Sequence, residues 1–268
     1  MNYKLTITYF FKILKNFWIT SLASELEYKV NFYVEVISVL GNTLGSIFIL
    51  KIFYTANNDF SGWSWDSSLM VLGVYSLLEG LTISLLQPNL SKIVKHVQNG
   101  TLDFILIKPI NTQLWLSTRI ITPWGIPSFL SGIILIIYGF INQSYNLDFN
   151  YLLLFFLLLI SSFLILYSLW FIIATMSIWF VKVWNANEVL RSILVAGKYP
   201  VNAFPQALRT VFTFLIPIAF LTTIPVQTLL GFIDSKLILL SLLISILLFI
   251  FSRFFWNFAL RFYTSASS

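Results

Sequence analysis

The chain alternates long apolar runs with short stretches in which most of its charges gather. A helix needs about 20 mostly apolar residues to cross the hydrocarbon core of a bilayer. Six segments reach that length: 30–53, 67–87, 114–141, 151–181, 207–230 and 237–260. The pattern predicts an all-α, polytopic membrane protein with six transmembrane helices. Pro217 and Pro225 interrupt the fifth segment, and 222–236 is too apolar for a free loop yet too short to cross. That stretch reads as a re-entrant hairpin on the outer side. Such backbone is tolerated only when buried in protein or lining a cavity, so Pro217 and Pro225 mark a candidate outer gate.

Two stretches show helical amphipathicity outside the spans. Within residues 1–29, Ile7, Phe10, Phe11, Leu14, Phe17 and Trp18 fall on one face, while Lys4, Thr8, Lys12, Lys15 and Asn16 fall on the other. Such a helix lies in the interface, aromatics toward the acyl chains and lysines among headgroups. Lys12 and Lys15 also interrupt any signal-peptide core. Between spans two and three, Pro88 is expected to end the second span and Asn89 to cap a new helix. Leu90, Ile93, Val94 and Val97 follow at helical spacing until Asn99-Gly100 stops them. The next run, Thr101 to Pro109, is more apolar than a solvent loop, which fits packing against the protein's own helix ends or the bilayer, or docking of a soluble partner. A third short helix is expected from Asn187 to Gly197, in a connection between Val181 and Gln206.

Charge then fixes the orientation. With six spans both termini share one side, and that side holds every Lys and Arg except Lys51 and Lys236. Basic residues concentrate in cytoplasmic loops, so both termini are expected in the cytoplasm. The pI near 9.4 therefore reflects topology and not nucleic-acid binding, which would need the cations gathered on a soluble domain. No loop is long enough for a further domain, so residues 1–268 are expected to form a single transmembrane domain. The absence of cysteine excludes disulfides and thiolate metal sites.

Ionisable residues inside spans are costly and face a bundle interior, a cavity or a partner charge. Glu35, Glu79 and Arg119 fall roughly 8–12 Å inside the first three spans at 1.5 Å per residue, so they are expected to meet in one layer. A structural ion pair is the first reading; the alternative places a carboxylate in a substrate pathway. Gly41 and Gly45, one turn beyond Ser38, form a small-residue pair that admits close helix approach, first inside the subunit and alternatively at a subunit seam. Pro123 and Pro127 are expected to bend the third span.

The run Asn99-Gly100-Thr101-Leu102-Asp103 with Lys108-Pro109 resembles the Gly-x-Leu-Asp…Arg/Lys-Pro signature of type-2 ATP-binding-cassette (ABC) transporter permeases. Tyr199-Pro200 with Phe204-Pro205, Ile216 to Phe220 with Pro225, and the ending Arg261 to Ser267 are similar to the same family in the same order. Phe262 departs from it, standing where the family favours a polar or basic residue. The resemblance implies half of an exporter's membrane domain in the cell (inner) membrane. Its partners would be a second permease subunit, identical or paralogous, surrounding lipid, and separate ABC ATPase subunits.

It also implies that the 88–113 loop couples to the ATPase through Lys92, Lys95, His96, Gly100, Asp103, Lys108 and Pro109. No Gly-x-x-x-x-Gly-Lys-Ser/Thr phosphate loop occurs in the sequence. ATP and Mg would accordingly sit on the partner, with no cofactor and no catalysis on this chain. Abundant aromatics, 27 Phe, 12 Tyr and 9 Trp, and a carboxylate at mid-depth suit hydrophobic or cationic small molecules, a multidrug-type cargo. Lipid or polysaccharide export is the alternative. An intramembrane enzyme would need clustered acidic, His or metal-ligand residues, and one His with no paired acidic motif argues against it; a channel or scaffold is the remaining class.

Overall fold

A computed structural model describes residues 7–27, 29–55, 62–143, 148–180, 184–232 and 234–264. Lys4, Lys182, parts of the predicted 54–66 and 142–150 loops and the last residues of the tail motif lie outside these ranges. Helices make up most of the described chain. Five helices are long and apolar enough to cross a membrane: Val30–Thr55, Trp65–Gln98, Pro123–Ile141, Phe149–Ile178 and Ser235–Phe262.

The fifth predicted segment, 207–230, is divided instead. A helix at Gln206–Thr210 passes into a π turn at Val211–Leu215, and the chain then breaks at Ile216-Pro217. Two short helices follow, Ile218–Leu221 and Thr223–Leu229, almost wholly buried. Pro217 supplies no backbone donor and enforces the break.

The first two elements, α1 (Ile7–Leu26) and α2 (Lys29–Thr55), are followed by α3, which runs unbroken from Trp65 to Gln98. Pro88 does not end the second span, and Asn89 does not cap a new helix. A proline inside a helix leaves the carbonyl four residues back unpaired, and here a π turn at Thr82–Leu86 absorbs the strain. The released Ser84 carbonyl accepts the Thr122 N–H at 3.0 Å. The Thr122 hydroxyl donates to the Ile83 carbonyl, also at 3.0 Å. Asn89, buried at mid-helix, donates to the Leu85 and Ile120 carbonyls and accepts the Ile120 N–H at 2.9 Å.

These bonds pin 119–122 as a non-helical strap along α3. They are the reason the third predicted span, 114–141, is two pieces. After α4 (Asp103–Leu106), α5 (Thr112–Thr118) lies before the strap and α6 (Ile126–Ile141) after it. Pro123 and Pro127 consequently stand at the start of α6, where a missing N–H is harmless, and bend nothing.

The tightest seam joins α3 to antiparallel α6 through glycines seven residues apart. A Cβ at Gly80 would lie 2.5 Å from the Phe129 nitrogen, and one at Gly132 2.5 Å from the Leu77 nitrogen. A Cβ at Gly125 would strike the Gly80 carbonyl, and one at Gly139 would meet the Asp66 carbonyl at 2.6 Å. Small residues let membrane helices reach backbone contact, where packing replaces the hydrophobic effect. Gly41 and Gly45 behave differently: nothing lies within 4 Å of either added Cβ, so the expected packing inside the subunit is absent.

A second seam pairs α7 (Phe149–Thr175) with α12 (Ser235–Ala259), which run parallel. Ser161 donates to the Ser241 carbonyl, Tyr167 stacks near Phe249, and Phe171 meets Trp256. Against α7 pack α10 (Ile218–Leu221) and α11 (Thr223–Leu229), with the Ser162 hydroxyl donating to the Phe220 carbonyl. Between these blocks come α8 (Trp184–Leu194) and α9 (Gln206–Thr210).

Candidate functional site

Two regions collect the polar chemistry. The first is the turn after α3. The Gly100 φ of 67° is a left-handed value that favours glycine, and it lets the chain reverse so that Leu102 N–H reaches the His96 carbonyl at 3.2 Å. His96 Nδ1 pairs with Thr101 Oγ1 at 2.7 Å. Leu102 and Ile105 are buried, whereas Phe104 is 66% and Ile107 79% exposed. The apolar run is thus amphipathic, half packed on the bundle and half presented outward. Lys108 lies 5.5 Å from the Trp115 ring, exposed beside Pro109. Burial, and then the Asp103 carboxylate, raise the pKa of Tyr263, so the tail motif meets the turn motif at Asp103.

The remaining predicted turn residues divide between two faces. His96 lines a groove with Phe17, Trp115 and Arg119, on the side where α1 packs. There the Trp18 indole donates to the Thr118 carbonyl, Ser21 to Ile121, and the Trp124 indole to Glu25. Lys95 lines a second groove with Glu35 and Arg191, and Lys92 touches both.

The second region lies near the middle of the bundle and corrects the predicted charge layer. Arg119 does not meet Glu35 and Glu79. The helix ends at Thr118, and the Arg119 guanidinium lies 4.9 Å from the Phe17 ring and 5.9 Å from Trp115. Glu35 and Glu79 do share a cleft, and the cations lining it are Arg191 and Lys198. The sequence places Lys198 in a cytoplasmic connection. In the structure the chain after α8 turns back into the bundle through 3₁₀ turns at Val195–Lys198 and Val201–Ala203, closed by the Val201 N–H donating to Thr223 Oγ1 at 3.1 Å.

This re-entry buries Lys198 beside the middle of α2. Its ammonium donates to Asn42 Oδ1 at 2.6 Å and Ser46 Oγ at 3.1 Å and lies 5.4 Å from the Tyr75 ring. Its bonded partners among the described residues are all neutral. Glu79 accepts from Tyr75 at 3.4 Å and from Ser128 at 3.5 Å. The arrangement can hold charge of either sign in a low-dielectric setting, where each polar contact counts for more than it would in water.

Ser38 and Asn42 sit in the same face of α2 as the cleft and are exposed at mid-helix. Tandem Tyr199-Pro200 and Phe204-Pro205 were the only sequence signal for the re-entry, because a residue before proline avoids helix. Pro217 and Pro225, the predicted gate residues, are both buried around α10 and α11.

Residues 40–267 match the family model described as ABC-2 family transporter protein. No curated protein and no solved structure matches the chain.

Proposed function

Because that match covers most of its length, the chain belongs to the ABC-2 transporter family and is a membrane permease component. We propose that two permease subunits, this chain and an identical or paralogous partner, enclose an export pathway driven by separate ABC ATPase subunits. The observation that carries this reading is the outward half of the Gly100–Pro109 turn, with Phe104 and Ile107 bare beside Asp103 and Lys108. A soluble subunit docked there would cover those side chains. The second permease is supported by α2, where Ser38, Gly41, Asn42 and Gly45 are exposed in mid-span; polar and small residues in that position belong against protein or a water-filled path. Pro217 and Pro225 would shape the outer gate.

Copurification tests this. A tagged chain is expected to bring down an ATP-hydrolysing subunit; nucleotide-independent flux through the purified chain alone would favour a channel and sink the proposal. Topology is tested separately, since any introduced cysteine is unique. Impermeant thiol reagents should label Asn58→Cys and Gln143→Cys in intact cells and spare Gln98→Cys and Ser267→Cys. The reverse pattern would invert the orientation.

For cargo, the aromatic content and Glu79 suit hydrophobic, often cationic, small molecules. The lipid-like alternative is favoured by a specific observation, the presence of Lys198 and Arg191 in the Glu79 cleft. Substrate-stimulated ATPase activity of the reconstituted complex separates the two. Stimulation by lipophilic cations that falls in Glu79→Gln supports cationic export, and equal stimulation in Glu79→Gln removes charge selection by that carboxylate.

A further inference from the structure

The groove between α1 and the end of α3 has a volume of about 400 Å³, within the range of small-molecule sites. Phe17, Trp115, Leu116 and Ile105 give it an apolar wall, with the Phe17 and Trp115 rings edge to face at 5.4 Å. Lys92, His96 and Arg119 supply its donors. One nitrogen of His96 is taken by Thr101. The Arg119 guanidinium rests near the two rings and has no carboxylate partner among the described residues. A guanidinium laid against aromatic faces keeps its planar fork of N–H donors for a phosphate or carboxylate.

The acceptors are equally uncommitted. The hydroxyl protons of Thr20, Ser21 and Ser24 go to the carbonyls of Asn16, Ile121 and Ser21. A hydroxyl has a single proton to give, so toward the groove these oxygens can only accept. Glu25 takes the Trp124 indole N–H at 3.0 Å, and a carboxylate has room for further donors. With His96 neutral, two cations, Lys92 and Arg119, face one carboxylate, Glu25, an excess of one positive charge.

We infer that this groove binds the head group of a singly anionic phospholipid whose head carries hydroxyls, a phosphatidylglycerol-like lipid. The phosphate lies by Arg119 and Lys92. The head-group hydroxyls donate to Glu25 and to the hydroxyl oxygens of α1, and the glycerol ester region rests on the Phe17–Trp115 wall. A choline head brings neither a donor nor a net charge. Free glycerol 3-phosphate shares the head chemistry but leaves the apolar wall uncovered. Ile19 and Leu26 of α1 are exposed, as suits a helix lying among acyl chains, and basic pockets between membrane helices take anionic head groups. Bound there, the lipid fastens α1 to the strap and to α3, whatever cargo the chain moves.

The test uses the full chain, purified in maltoside detergent, with dioctanoyl phosphatidylglycerol as the probe and bound lipid followed by native mass spectrometry. Saturable binding is expected. Dioctanoyl phosphatidylcholine should bind at least about tenfold more weakly, the scale of one charge-assisted hydrogen bond. Dioctanoyl phosphatidylmethanol, which keeps the charge and lacks the hydroxyls, should bind about fivefold more weakly, the scale of one neutral hydrogen bond. Arg119→Gln should weaken phosphatidylglycerol about tenfold and Arg119→Lys less. Arg209→Gln, at a residue that lines a separate groove, should leave it unchanged.

Equal binding of phosphatidylglycerol and phosphatidylcholine by the wild-type chain overturns the site without relying on any variant. Equal binding of phosphatidylmethanol overturns the hydroxyl contacts. Glycerol 3-phosphate that displaces the lipid at matching concentration overturns the lipid assignment in favour of a soluble phosphate ester. Unchanged affinity in folded Arg119→Gln, or an equal loss in Arg209→Gln, overturns the placement in this groove.

Discussion

Gly80→Leu and Gly125→Leu are expected to abolish accumulation of folded protein, while Gly41→Leu and Gly45→Leu leave the monomer folded. At Gly80 and Gly125 an added Cβ meets the facing helix's backbone, which no side-chain rotation can move aside. Ordinary overpacking costs about 1–3 kcal/mol; separating two helix backbones along the whole seam should exceed that. Around Gly41 and Gly45 there is open space within the subunit. Membrane yield and size-exclusion behaviour of the four variants decide the matter. Equal yields would mean that the glycine seam is not what holds α3 to α6. A loss of assembly with retained folding in the α2 variants would assign that face to the second permease.

Asp103→Lys should cut ATP-dependent transport by more than about 30-fold, the scale of a lost interface hot spot of about 2 kcal/mol, with the membrane domain still folded. Asp103 stands in the turn set by Gly100 and beside Tyr263. Reversing its charge therefore disturbs the presented face and the tail contact together. Tyr263→Phe, which keeps the ring, serves as the control for the tail contact alone and should lose much less. A Lys92→Glu/Lys95→Glu pair probes the adjoining helix surface. Transport and copurification both at wild-type level in Asp103→Lys and in the lysine pair would remove the docking role from this loop.

The spans that pack as simple cylinders were readable from composition alone: 30–53 is Lys29–Thr55 and 237–260 is Ser235–Ala259 in the structure. Other features depend on partners far along the chain. Pro88 carries a local stop signal, and what overrides it is the strap at 119–122, whose Thr122 N–H takes the carbonyl that the proline releases. The same strap keeps Arg119 out of the predicted charge layer. Lys198 is equally opaque to a linear reading, because its depth comes from a re-entry closed by the Val201–Thr223 bond. The glycine seam was visible in principle: Gly73 and Gly80, and Gly125, Gly132 and Gly139, recur every seven residues. Four-residue spacing, which marks Gly41 and Gly45, does not pick these glycines out.

The unbroken course of α3 has a mechanical consequence. About 30 Å of continuous helix, at 1.5 Å per residue, separates Gln98 at the turn from Glu79 at the cleft, and the π turn at Thr82–Leu86 is the one irregularity between them. If the turn at Gly100 takes a push from an ATPase subunit, this helix would carry it toward the cleft. The π turn on the way is clamped from the side by Thr122 and Asn89. Motion at the two ends would then be geared together.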